Sequence, residues 1–260
     1  MIAGGGTGGH VFPALAVADE LRARHPQSEI AFVGVKTGIE ARVVPAAGYR
    51  LHTIRAAGFK GASWKGKARS LWLLGRSSIA CRRLLREFDP NVVFGVGGYA
   101  AAPAMVAAVL SQRPTVVFEP NAEPGLVNRV VAPLAAGIAV SYEATLRFFG
   151  PRAVRTGNPA RTDFFRVPPK KHQPPFTLLV FGGSQGAVPL NAAIVDSLDA
   201  LGASRHPLRF IHQTGPRDFD AVRAAYARRG IRADVRPFIE NMAECFAEAD
   251  VIVCRAGAST

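Results

Sequence analysis

Four times along this chain a short apolar run ends in a cluster of small residues and gives way to a helical pattern. The clusters are Gly4-Gly5-Gly6-Thr7-Gly8-Gly9-His10, Gly95-Val96-Gly97-Gly98-Tyr99, Phe181-Gly182-Gly183-Ser184-Gln185-Gly186-Ala187 and Arg255-Ala256-Gly257-Ala258-Ser259-Thr260. Apolar, β-branched runs without polar alternation fit strands buried on both faces, and such strands belong to parallel sheets covered by helices. An α/β fold is expected. The pattern predicts strands near 29–34, 51–54, 92–96, 115–119, 137–140, 177–181, 209–212, 234–237 and 251–254. It predicts helices near 13–24, 68–87, 100–110, 125–134, 187–201, 217–229 and 241–248.

The rhythm breaks once. Residues 157–176 hold Pro159, Pro168, Pro169, Pro174 and Pro175, with Lys170 and Lys171, and show no periodicity. That composition reads as a linker, so the expected domains are 1–156 and 176–260, joined by 157–175. The chain stops at Thr260, inside what reads as a strand-to-helix turn, and the second domain is expected to be incomplete. Residues 92–110 carry no charge and are long enough for a membrane span. Gly95, Gly97, Gly98 and Pro103 interrupt them, which favours a buried strand, a glycine turn and an apolar helix.

Glycine turns that open helices let the backbone approach an anion, and the free N–H groups of the first helical turn favour phosphate. In open α/β sheets ligands bind at the strands' carboxyl ends, where these turns lie. Gly4, Gly6 and Gly9 satisfy G-x-G-x-x-G, but a dinucleotide site also needs an acid at the end of the second strand. That strand closes on Phe32-Val33-Gly34-Val35, with Glu40 beyond it, so a nicotinamide cofactor is disfavoured. No Gly-Lys-Ser/Thr follows, which excludes a P-loop nucleotidase. His10 opens a helix, a position that disfavours the imidazolium and suits a neutral base. His212, at a strand end, could line a site. The six histidines show no metal-ligand spacing, and the three cysteines show no CxxC and leave one unpaired, which suits a reducing compartment.

Further motifs follow in order: Glu119-Pro120-Asn121-Ala122 with Pro124-Gly125-Leu126 and Asn128-Arg129, then Gly157-Asn158-Pro159-Ala160-Arg161, then Phe238-Ile239 with Asn241-Met242-Ala243. Together with the four turns they resemble the MurG family, bacterial transferases that move N-acetylglucosamine from its UDP donor to lipid I in peptidoglycan synthesis. The resemblance implies a GT-B fold, two Rossmann-like domains facing across a cleft, and an inverting reaction at the MurNAc 4-hydroxyl without a cofactor or metal. It implies donor contacts from Thr7, Gly8, Gly9, Asn121, Arg161, Ser184 and Ile239, and from Ala258, Ser259 and Thr260. It places His10, Gly97, Gly98 and Tyr99 by the acceptor, with His10 as the expected base and Glu119 as second choice. Pro120 stands where the family commonly has Gln.

Lysine and arginine outnumber aspartate and glutamate by 32 to 19, a net charge of +13 that favours anionic partners. From Ala41 to Arg86 there is no acid but eleven basic residues, interleaved with Trp64, Leu71, Trp72, Leu74 and Ile79. Either a covering helix with a solvated basic face or a surface for anionic lipid fits this pattern. With a lipid-linked acceptor, the second reading places the protein at the cytoplasmic face of the cell membrane, bound peripherally. Nucleic acid is not an expected partner, because no recognition motif accompanies the charge. The competing functional class is a catalytically silent fragment that binds a nucleotide sugar or phosphate and docks on a membrane or partner.

Overall fold

The computed structural model describes residues 1–56 and 63–257. They form two compact units, one running Met1–Arg161 and the other beginning at Thr162. In the first unit the elements follow in order: β1 (Ile2–Ala3), α1 (Gly8–Arg24), β2 (Ala31–Val35), α2 (Glu40–Ala46), β3 (Arg50–Ile54), α3 (Trp64–Phe88), β4 (Val93–Gly95), α4 (Ala102–Leu110), β5 (Thr115–Glu119), α5 (Leu126–Val131), β6 (Gly137–Val140), α6 (Glu143–Phe149) and β7 (Ala153–Arg155). The strands make one parallel sheet in the order β3-β2-β1-β4-β5-β6-β7. The direction of winding reverses at β1, which pairs with β2 on one side and β4 on the other. The turns after β1 and β4 therefore meet at the switch point, where an open α/β sheet leaves a crevice.

Alternation along the strands divides the core between the two faces of this sheet. Ala3 and Val33 join Cys81, Leu85, Val93 and Met105 beneath α3 and α4. Ile2 and Phe32 join Val11, Leu15, Val44 and Phe118 beneath α1 and α2. The uncharged stretch 92–110 proves to be β4, a glycine turn and α4, as expected. Ala101, Ala104, Ala107 and Ala108 are fully buried, and a Cβ at Gly95 would lie 2.4 Å from Met105 Sδ. Small residues bring α4 against the sheet, and its apolar character is that of a core helix. Among the described residues no helix is long and apolar enough to cross a membrane.

The second unit runs α7 (Thr162–Phe165), β8 (Phe176–Phe181), α8 (Val188–Gly202), β9 (Leu208–Gln213), α9 (Phe219–Arg228), β10 (Ala233–Arg236), α10 (Met242–Glu248) and β11 (Val251–Cys254). Its sheet is parallel, in the order β10-β9-β8-β11. Val180, Leu198, Phe210 and Tyr226 fill one face, and Leu179, Phe181, Ile211 and Cys245 fill the other. The three cysteines are free thiols, Cys81 and Cys245 buried and Cys254 half-buried.

The stretch expected as a linker is divided between the units. Residues up to Arg161 group with the first unit and those from Thr162 with the second. Phe164 of α7 meets Phe246 of α10 edge-on, ring centroids 5.1 Å apart. Asp250 accepts hydrogen bonds from Lys170 Nζ at 2.6 Å, His172 Nδ1 at 2.8 Å and the Thr177 N–H at 2.7 Å. Local periodicity is absent because these residues are tied down by side chains some 70 to 80 positions away. The pattern also missed α2, α6, α7 and β7, each seven residues or fewer and too short to show a period.

Candidate functional site

In the first unit the turns after β1 and β4 interlock. Gly98 has φ +77°, and a Cβ there would lie 3.2 Å from the Gly5 carbonyl and 3.4 Å from His10 Nδ1. Gly6 has φ +85°, and its Cβ would lie 3.0 Å from the Tyr99 ring. Glycine is needed at both positions for conformation as well as space. His10 stands in the first turn of α1, half-buried, with Nδ1 2.9 Å from Thr7 Oγ1. When Nδ1 carries the proton and donates it to Thr7, Nε2 is left as an acceptor. Burial lowers the His10 pKa below its ordinary 6.5, against the opposing charges of Glu119 and Glu40. Burial thus favours the neutral imidazole. The Tyr99 phenol, beside the same turn, is raised above its ordinary 10 by burial and by Glu40.

Glu119, the second-choice base, is used differently. It is fully buried at the end of β5 and accepts four hydrogen bonds. Asn121 donates through its main-chain N–H at 3.0 Å and its side-chain amide at 2.8 Å, Gly125 N–H at 3.0 Å and Asn128 Nδ2 at 2.9 Å. A carboxylate so engaged holds the 120–125 loop, with both oxygens taken up by donors of the protein itself. The Asn121 side-chain amide is committed to it as well. Arg161 lies with its guanidinium 5.4 Å from the centre of the Phe12 ring, within the first unit.

In the second unit the turn after β8 is pressed against the turn after β9. A Cβ at Gly186 (φ +76°) would come within 1.9 Å of the Thr214 carbonyl, and one at Gly215 (φ +79°) within 2.2 Å of the Gln185 carbonyl. Gln213 locks the arrangement, donating to the Gly183 carbonyl at 2.9 Å and accepting from Ile239 N–H at 2.7 Å. Half-buried Ser184 lies in this turn ahead of the α8 N-terminus, whose first turn carries no acid. A Cβ at Gly183 would lie 2.9 Å from Arg255 Nη2, so a guanidinium stands beside the turn. A hydroxyl, a helix N-terminus and a neighbouring arginine are groups that suit a diphosphate.

Several expected residues sit elsewhere in this picture. Ile239 has its side chain in the core with Leu179 and Cys245 and gives its N–H to Gln213, so a donor contact at this position falls to its main-chain carbonyl. His212 is fully buried, held between Asn191 Oδ1 at 3.1 Å and Tyr226 Oη at 3.2 Å, and burial lowers its pKa to about 4. Asn191 also donates to the Thr214 carbonyl and to Asp218, which fixes its amide oxygen towards His212. His212 is a structural histidine. Ala258, Ser259 and Thr260 lie outside the described residues. On α3, Trp64, Leu71, Trp72 and Ile79 are 60 to 76% exposed. Leu74, three residues after Leu71 and so beside it on the helix surface, is half-buried at the edge of this row.

Sequence reasoning missed Glu40, Asn128 and Thr145, all buried polar groups that order the two loops of the first unit. Thr145 Oγ1 donates to the Asn121 carbonyl at 3.0 Å, and Glu40 accepts from Gly6 N–H at 2.8 Å. Their partners are distant in sequence, apart from the Asn128 that stands within a quoted motif. Among the described residues no three His, Cys, Asp or Glu side chains are grouped to hold a metal ion.

Two parallel α/β units, each with glycine-rich turns at the carboxyl ends of its strands, define the GT-B class of glycosyltransferase. Models of the glycosyltransferase family 28 N-terminal domain and C-terminal domain match residues 1–140 and 177–260. The chain belongs to glycosyltransferase family 28. It is 46% identical over 265 residues to a UDP-N-acetylglucosamine--N-acetylmuramyl-(pentapeptide) pyrophosphoryl-undecaprenol N-acetylglucosamine transferase of Geotalea daltonii, covering all of this chain and 72% of that protein. The enzyme of the same name from Geotalea uraniireducens is also 46% identical, with 73% of it covered. The crystal structure of Acinetobacter baumannii MurG superposes with a TM-score of 0.67 at 30% identity, over 99% of this chain and 71% of that one.

Proposed function

We propose that the chain transfers N-acetylglucosamine from UDP-N-acetylglucosamine to the MurNAc 4-hydroxyl of lipid I. The observation that carries this reading is identity above 40% along the entire chain to enzymes named for that transfer. The geometry supplies matching chemistry. In the second unit, the 182–186 turn, Ser184 and the α8 N-terminus suit the donor diphosphate, with Arg255 beside them. In the first unit, we keep Thr7, Gly8 and Gly9 as donor contacts, while His10, edged by Gly97, Gly98 and Tyr99, suits the acceptor sugar. Neutral His10 takes the proton of the 4-hydroxyl as its oxygen bonds to the anomeric carbon. The bond from that carbon to the donor phosphate breaks, UDP departs, and one displacement inverts the centre to the β configuration. Negative charge growing on UDP is met by the turn's amides and the α8 dipole.

The acceptor is anchored in a bilayer, and α3 offers a surface for reaching it. Trp64 and Trp72 stand out beside cations, Lys65 and Arg76 lying 5.8 and 5.4 Å from their ring centres. Amphipathic aromatics with basic neighbours are suited to the headgroup layer of an anionic membrane. We place the protein on the cytoplasmic face as a peripheral protein.

Radiolabelled UDP-N-acetylglucosamine incubated with a lipid I analogue tests the transfer. Label moving to the lipid with release of UDP is the expected result. Tight UDP binding with no movement of label would favour a silent binding protein instead.

A further inference from the structure

Glu40 is a fully buried carboxylate for which the transfer itself has no chemical use. It opens α2, five residues past β2, and its side chain turns back under the glycine turn that follows β1. Oε1 accepts from Val35 N–H at 2.9 Å and Oε2 from Gly6 N–H at 2.8 Å. Three glycines make its seat. A Cβ added at Gly5, Gly34 or Gly38 would lie 2.1, 2.6 or 2.1 Å from atoms of the Glu40 side chain, closer than real Cβ contacts come. Each of these positions belongs to a different piece of backbone: the turn after β1, β2 itself, and the loop entering α2. Burying a carboxylate is costly unless hydrogen bonds and oriented dipoles compensate, and an apolar side chain could fill the same volume without that cost. The feature this architecture preserves is the charge with its two acceptor oxygens.

We propose that Glu40 is the positioning residue of the acceptor turn, a buried carboxylate that holds Gly6, and through it Thr7 and His10, in working geometry. This rests on the reading of His10 as the base. Two consequences follow. The Gly6 N–H is already given to a carboxylate, so this part of the turn repels phosphate and favours the hydroxyls of a sugar. That revises the expectation from the glycine pattern, in which all of the turn's amides were free for an anionic ligand. The second consequence concerns the proton. Glu40 and Glu119 both favour the charged imidazole while burial opposes it, so Glu40 helps His10 accept the proton when the acceptor oxygen attacks.

The test compares the wild-type chain with Glu40→Gln and Gly38→Ala. Gln keeps the size and removes the charge. Ala at position 38 pushes a methyl into the carboxylate's seat without altering the turn that faces substrate. His10 is titrated by imidazole NMR, transfer to a lipid I analogue is measured as kcat and KM, and folding is checked by thermal melting and UDP binding. For Glu40→Gln the expected result is a lower His10 pKa, kcat reduced by about tenfold or more, and a donor KM within about twofold of wild type. Gly38→Ala is expected to move the same quantities in the same direction, and it decides the matter if Glu40→Gln does not fold. A folded variant with Glu40 displaced or neutralised, yet with unchanged His10 titration and kcat, overturns the proposal and leaves the transfer reading intact. Wild-type protein that binds UDP but transfers nothing, while the NMR shifts occur as stated, overturns the functional reading and keeps Glu40 as the determinant of His10.

Discussion

At the scale of single residues, the site depends on which titratable groups are free to act. His10 is half-buried with one nitrogen near Thr7, whereas Glu119 has both oxygens engaged by four donors. Replacing His10 with Ala is expected to lower kcat by about 10²–10⁴-fold, the usual contribution of a general base, with UDP affinity unchanged in calorimetry. The acid limb of the kcat/KM profile should fall where His10 of the free enzyme becomes protonated. Because burial holds that pKa below 6.5, activity should persist to lower pH than an exposed histidine would allow. His10 could be singled out in the sequence because a local signal marks it, the glycine turn opening a helix. Glu119 was legible as a functional position, but its four hydrogen-bond donors were not. A carboxylate's donors come from a loop whose closure only the folded chain displays.

At the scale of elements, α3 and the segment entering β8 carry separable tests. α3 is capped by Ser63, whose hydroxyl accepts from Gly66 N–H, and it runs 25 residues with its apolar exposed row interleaved with arginines. Basic residues close to an anionic surface contribute about 1 kcal/mol each, and the contribution is screened by salt. Co-sedimentation with anionic vesicles is therefore expected at low salt and should be released at high salt. Trp64→Ser with Trp72→Ser should weaken it at any salt concentration, and equal binding to neutral vesicles would refute this docking mode. The segment entering β8 is held by Asp250. Burial pushes its pKa up, but Lys170, the Thr177 N–H and His172 outweigh that and hold it at about 2, below its ordinary 3.8. A folded pKa below the unfolded one stabilises above pH 3.8, and the contribution is lost as pH falls from there through about 2. Asp250→Asn should cost about 1–2 kcal/mol at neutral pH and flatten the acid limb of stability in urea titrations across that window. The apolar runs of α4 and β5 were readable from pattern alone. The short α2, α6 and β7 were not, because pairing and packing, rather than periodicity, make them regular.

At the scale of the whole molecule, the two units have separate cores and separate sheets. Donor binding at the second unit is expected to slow amide exchange by hydrogen–deuterium mass spectrometry in the 182–186 and 213–215 turns. Protection by UDP alone confined to the Gly4–His10 turn would contradict the assignment of the donor site. The parallel two-unit α/β architecture, the placing of glycine turns at strand ends and the family were all determined by the sequence, because apolar strand runs, turn residues and motif order are local or ordered properties. What Glu40, Gln213 and Asp250 do was decided by the tertiary structure alone. Each satisfies backbone groups many residues away, and a buried polar side chain must find its partners wherever the fold brings them. Three glycines that look like phosphate-binding or turn residues in the sequence prove to be the space left for a carboxylate.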